Sequence, residues 1–231
     1  MSGALAKIAA LHRSGLLKLA VEGQIGNWIA TVGQAVGSER LMFNHFMFSG
    51  FHRGALETAP AAVEALLRIC PQVRSVVDYG CGTGVYLHEL ARRGIAARGY
   101  EYSARARAVA RARYGIDVEP FDLNRFEADA RAYDLSLCIE VAHYLPAALG
   151  DRLVELCTTH VPRALFSAAH PGQHGFGHVN AQPREYWIER FKARGFRLDP
   201  GATEGLRTHL KQTLTRGFWL ADNVFLMERS S

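Results

Sequence analysis

Val76-Val77-Asp78-Tyr79-Gly80-Cys81-Gly82-Thr83-Gly84 is the segment of this chain best equipped to meet a ligand. Three glycines at alternate positions let the backbone turn sharply and approach a bound group closely. No Gly-Lys-Ser/Thr follows, so the loop is not a Walker A phosphate cradle. Val85 stands where the G-x-G-x-x-G dinucleotide fingerprint needs its last glycine. Carboxylates recur at Asp78, Glu101, Asp122 and Glu140, and histidines at His143, His170, His174 and His178. The four-residue spacing of the last three suggests a zinc helix at first sight. Pro171 and the glycines around it forbid a regular helix, so the spacing does not put the three rings on one face. A histidine near neutral pKa suits proton removal from a hydroxyl.

These groups need elements that bring them together, and the pattern changes near residue 72. Before it the chain reads as helical: Ile25, Trp28, Ile29, Val32 and Val36 recur at helical spacing, and a second helix is expected over 59–69. Between them lies an aromatic stretch over 41–48. After residue 72 strands are expected at 73–78, 96–101, 116–121, 133–139, 164–168, 196–198 and 223–227. Helices are expected at 85–93, 104–113 and 149–160, with another opened by Pro183 and closed by Gly195. Such alternation specifies a doubly wound α/β fold around a mainly parallel, seven-stranded Rossmann-like sheet. Ligands then bind at the carboxyl ends of the strands, near the switch in strand order. The expected organisation is an N-terminal helical lid over 1–71 and a main domain over 72–231. Trp28, Phe43, Phe46 and Phe48 would close the lid over the pocket, with ordinary core or a dimer interface as the alternatives.

The D-x-G-x-G-x-G form, with Asp78 two positions before Gly80, resembles motif I of the class I S-adenosylmethionine-dependent methyltransferases. The resemblance spans about 73–227 and implies S-adenosyl-L-methionine as methyl donor. It places the donor on Asp78, Gly80, Cys81, Gly82, Gly84, Glu101, Tyr102, Asp122, Leu123 and Glu140. In that family Glu101 would take the ribose hydroxyls and Asp122 would face the adenine amino group. The run Glu140-Val141-Ala142-His143-Tyr144-Leu145 resembles the family's fourth motif, E-V-A-E-H-L, with its second acid and histidine replaced by His143 and Tyr144. Some RNA 2′-O-methyltransferases use that acid–histidine pair for a metal. The replacement weakens a metal set of Glu140, His143 and a downstream histidine, and no metal is expected. The stretch over 177–187, Gly-His-Val-Asn and then Gln-Pro-Arg-Glu-Tyr-Trp, resembles small-molecule methyltransferases of bacterial biosynthetic clusters. His143 and His178 are the candidate bases.

Composition narrows the function classes. The chain has 231 residues, 48% hydrophobic and 21% charged, a globular balance sufficient for one large α/β domain. Four cysteines form no C-x-x-C pair, which argues against a zinc ribbon or redox pair, and reduced thiols in the cytoplasm are expected. The N-terminal run over 23–38 is too short and polar to span a bilayer. The net charge of +5 comes from arginine, 23 residues against 4 lysines. Arg92, Arg93, Arg105, Arg107, Arg111 and Arg113 fall on helices covering the sheet and read as solvated flanks. Arg53, Arg125 and Arg184 remain for the pocket mouth. The leading expectation is O-methylation of a small molecule, a sugar or secondary metabolite, by a monomer or homodimer that binds neither nucleic acid nor membrane. RNA methylation and non-catalytic donor binding are the alternatives.

Overall fold

A parallel strand covered on both faces needs apolar residues on both sides of its pleat, and β1 (Ser75–Tyr79) supplies them in Val76 and Val77. The computed structural model describes residues 45–128, 130–173, 175 and 177–230. It also describes Ile25, Trp28, Ile29 and Val32, whose backbone is helical. Val36, Phe43, the side chain of Phe46 and His174 lie outside the described residues. Two compact units are present, 1–51 and 52–231. The boundary falls twenty residues before the change in sequence pattern.

The long helix α1 (His45–Ile69) is followed by β1, α2 (Val85–Arg92), β2 (Ala96–Glu101), α3 (Ala104–Tyr114) and β3 (Glu119–Pro120). Next come β4 (Leu135–Ile139), a 3-10 turn (Ala142–Tyr144), α4 (Ala147–Thr158), β5 (Arg163–Ser167) and α5 (Arg184–Lys192). The chain closes with β6 (Phe196–Leu198), α6 (Pro200–Thr213), α7 (Phe218–Asn223) and β7 (Phe225–Arg229). The strand order is β3-β2-β1-β4-β5-β7-β6. All neighbours are parallel except β7, which runs antiparallel to β5 and β6.

Successive side chains of a strand point to opposite faces, and the core divides accordingly. Val76, Leu135, Leu137, Leu165 and Leu226 pack with Val63 and Leu66 of α1, Leu90 of α2 and Leu206 of α6. Val77, Cys138, Phe166, Phe225 and Met227 pack with Leu153 of α4 and Trp187 and Phe191 of α5. The C-terminal half of α1 is thus part of the larger unit's core. The parallel strands carry Tyr79, Glu101, Ile139 and Ser167 to one edge of the sheet. The order reverses between β1 and β4, which opens a crevice there.

Several expected elements hold with small shifts; β2 has the bounds the sequence suggests, and α3 ends at Gly115 with φ 66. The third strand is far shorter than expected. Pro120 has no N–H for a further ladder bond and is tolerated because β3 is an edge strand. Two helices went unread. α6 is announced by Asp199, whose side chain accepts from Ala202 N at 2.9 Å, with Pro200 in its first turn. The last strand starts two residues later than expected because Asn223 closes α7.

Candidate active site

Motif I folds as a clasp around the end of β2. The amides of Gly80 and Cys81 both donate to the Tyr100 carbonyl, at 2.8 and 3.1 Å. Gly80, Gly82 and Gly84 take φ values of 81, 56 and 77, in the left-handed region that L side chains resist. Their surroundings differ. A Cβ on Gly80 would lie 2.5 Å from Val141, and one on Gly84 3.0 Å from Ala110 of α3. A Cβ on Gly82 would meet nothing within 4 Å. The first and third glycines therefore permit packing, and the middle one faces open space.

Glu101 closes the clasp. One carboxylate oxygen accepts from Gly82 N at 3.0 Å and the other from Ser103 N at 2.7 Å. Each oxygen keeps a lone pair for a further donor. Arg107 donates to the carbonyls of Glu101 and Tyr102, at 2.7 Å each, and holds the strand end. This corrects its reading as a solvated flank: the guanidinium folds back onto β2. Arg92 and Arg93 pair with Glu89, and Arg111 pairs with Asp117, on the helix surfaces. Gly99 went unnoticed in the sequence, yet a Cβ there would come 2.7 Å from the Cys81 sulfur.

Asp78 is 3% exposed beneath the loop. Burial, and then the charge of Glu101, push its carboxyl well above the usual range. Burial also raises Glu101, against the opposing pull of the Ser103 and Gly82 amides and of Arg107. The Cys81 thiol is likewise pushed up by burial and by these two acids, so it is not a reactive thiolate. Neither acid is paired to a basic side chain in an ion pair among the described residues. The crevice thus holds two acids whose charged forms a bound cation would favour.

Register brings Asp122 to the same place, two residues past Pro120, which pairs with Glu101. One Asp122 oxygen accepts from the amide and the side chain of Asn124, at 3.0 and 3.1 Å, which holds its pKa low. Leu123 is buried with Tyr79, Tyr100 and Phe121. Tyr79 stacks on Tyr100 at 5.7 Å, and Phe126 meets Tyr100 edge-on at 4.7 Å, forming an aromatic floor. Tyr102 stands half-exposed beyond it.

On the other side of the crevice, Glu140 follows β4 with φ 58, a strained conformation for this residue. The amide of Glu140 donates to the Ser167 carbonyl and hydroxyl, both at 3.1 Å. Its carboxylate accepts from Asn223 Nδ2 at 3.0 Å, and the same amide group donates to Gln173 Oε1 at 2.9 Å. Burial raises the pKa of Glu140, and hydrogen bonds from Asn223, Ser167 and Gln173 oppose it. Asn223 and Gln173 escaped the sequence reading, since nothing local marks them.

His143 is 1% exposed and packs 4.3 Å from the ring of His178. Its Nδ1 accepts from Ala169 N at 2.9 Å. Burial, then the neighbouring His178, push its pKa down to about 3. The neutral ring therefore carries its proton on Nε2 and has no free acceptor nitrogen, which removes the proton-accepting role expected for it. His178 is also shifted down by burial, and its Nδ1 has no partner among the described residues. His170 stands exposed, 2.8 Å from the Pro171 carbonyl, and the described residues within 170–183 form turns and irregular backbone, as the prolines and glycines there require. No three His, Cys, Asp or Glu among the described residues gather as a metal would need. Of the arginines reserved for the pocket mouth, Arg125 lies 3.9 Å from Asp122 and Arg184 pairs with Glu185 at 3.6 Å.

Known proteins share this fold. The fold resembles the sugar N-methyltransferase KedS8 from Streptoalloteichus (19% identity, TM-score 0.59), over 80% of this chain and 93% of that one. It resembles CalS10, an amino pentose methyltransferase from Micromonospora echinaspora solved with bound SAM (17%, TM-score 0.58, 80% and 97%). It also resembles magnesium protoporphyrin IX methyltransferase from Synechocystis, solved with bound SAH (16%, TM-score 0.60, 83% and 98%). No curated protein sequence matches. A family model described as a methyltransferase domain matches residues 43–200, well over half of the chain, and the protein therefore belongs to the methyltransferase domain family.

Proposed function

We propose that this enzyme transfers the methyl group of S-adenosyl-L-methionine to a hydroxyl of a small molecule, a sugar or a secondary metabolite. The observation that carries the proposal is Glu101, held by the Gly82 amide beside the open space over Gly82. A ribose hydroxyl pair would meet that carboxylate, and the adenine would lie between Tyr102, Leu123 and Asp122. The acids Asp78, Glu101 and Glu140 favour a cationic donor over a neutral one. The fold's solved neighbours with bound SAM or SAH support the same donor.

The donor supplies an activated methyl, so the protein contributes alignment, exclusion of water and removal of one proton. The acceptor oxygen bonds to the methyl carbon while the carbon–sulfur pair stays on sulfur. In our reading the His178 ring takes the hydroxyl proton and His143 Nε2–H steadies the acceptor as a donor. Buried, free thiols at Cys70, Cys81, Cys138 and Cys157 suit the cytoplasm. The test is transfer of a labelled methyl group from the donor into a small-molecule extract, with the product identified by mass spectrometry. Replacing His178 by Ala should slow transfer about a hundredfold and leave donor affinity within about twofold. Unchanged transfer would remove His178 as the base.

A further inference from the structure

Helix α1 touches the motif I region twice, through residues of the larger unit. His52 is 9% exposed, and its Nδ1 lies 2.8 Å from the Thr83 hydroxyl. Further along, the Thr58 hydroxyl donates to the Gly54 carbonyl at 3.1 Å and so accepts from the Tyr86 phenol at 2.9 Å. Thr83 and Tyr86 flank the start of α2, where Gly84 gives no side-chain cap. The loop consists largely of glycines, whose backbone has the most freedom to lose. Thr83 is the one side chain between Gly82 and Gly84 through which another element can hold it.

His52 is costly where it stands. Its Nε2 is buried with no partner among the described residues, and a buried nitrogen without a hydrogen bond lowers stability. An apolar residue would fill the same place without that cost. Burial, with Arg113 and Arg53 nearby, keeps the ring neutral, so it does not act as a fixed charge. What the ring supplies is a rigid polar atom at the height of Thr83.

We propose that His52 is a positioning residue for the methyl donor. Through Thr83 it fixes the glycine loop in the conformation that presents the Gly82 amide to Glu101, which makes α1 a working part of the donor site. The proposal rests on the donor assignment above, and its test separates the two. Titration calorimetry with S-adenosylhomocysteine would compare wild type, His52→Leu, His52→Asn, Thr83→Val and the His52→Leu/Thr83→Val double variant. Melting of each unliganded protein would be followed in parallel.

His52→Leu should weaken binding about tenfold while the unliganded melting temperature stays within about 2 °C. His52→Asn, whose amide reaches the Nδ1 position, should recover affinity to within about threefold. The double variant should bind no more weakly than the worse single one, as expected when both changes break one contact. Wild-type affinity in His52→Leu, no recovery in His52→Asn, or multiplying effects in the double variant would overturn the proposal. So would a fall in unliganded melting that matches the loss of affinity. A wild-type protein that binds no S-adenosylhomocysteine would remove the donor assignment itself, and this inference with it.

Discussion

Around Glu101 the contacts come from backbone amides nearby in the chain, whereas around Glu140 they come from side chains on remote elements. Gly82 N and Ser103 N reach the first carboxylate, within nineteen residues of it. Asn223 reaches the second from 83 residues away. The first arrangement relies on backbone atoms, which side-chain substitutions do not remove. The second can change with a few substitutions and leave the fold intact. The two arrangements lie on either side of the switch in strand order between β1 and β4.

The comparison can be broken at either side. The largest effect is expected from Gly82→Val. Its φ of 56 and the open space at its Cβ mean that a branched side chain adds strain and enters the ligand's approach. Donor affinity should fall more than about a hundredfold, while stability drops only about 1–3 kcal/mol. Calorimetry and thermal melting would read the two separately, and retained affinity would show that the loop does not face the donor. Glu101→Ala should weaken donor binding about ten- to thirtyfold, for a lost charge-assisted acceptor worth about 1.5–2 kcal/mol.

Asn223→Ala should act in the opposite sense. It leaves Glu140 and Gln173 without their shared donor but keeps the Glu140 charge, so melting should report a loss of about 1–3 kcal/mol with affinity for the methyl donor lowered less than about threefold. A matching loss of donor affinity would mean that the two sides are not separate. The smallest effect concerns pH. Asp78 and Glu101 are raised in the folded protein. Their contribution to stability is therefore full below the ordinary carboxyl range near 4 and is lost as pH rises through their raised values. A bound sulfonium favours the charged forms. S-adenosylmethionine affinity should then fall a few-fold between pH 7.5 and 5.5, and fall more than that of the uncharged product thioether. Equal pH dependence of the two ligands would place the acids away from the sulfonium.

The same contrast governs what the sequence makes legible. Strand β2, its terminal Glu101 and the glycine turn before α2 are written locally, the strand between Gly94 and the Ser103 cap and the turn in glycines that its positive φ values demand. The stop of α3 at Gly115 is of the same kind. Asn223–Glu140 and His52–Thr83 are contacts between elements, and periodicity carries no trace of them. His143 shows the limit well. Its position after β4 marks it for the site, but its tautomer depends on the Ala169 amide just past the next strand, and that turns an expected base into a donor. The short β3 and the missed α6 are different, since Pro120 and the Asp199–Pro200 cap are both visible in the chain.

The donor site is tested most directly by calorimetric titration of S-adenosyl-L-methionine into the full-length protein at neutral pH. Saturable one-to-one binding with a Kd on the order of micromolar, about −8 kcal/mol, is the expected result, lost in Gly82→Val. Absence of binding at millimolar donor, with the protein folded by circular dichroism, would contradict it.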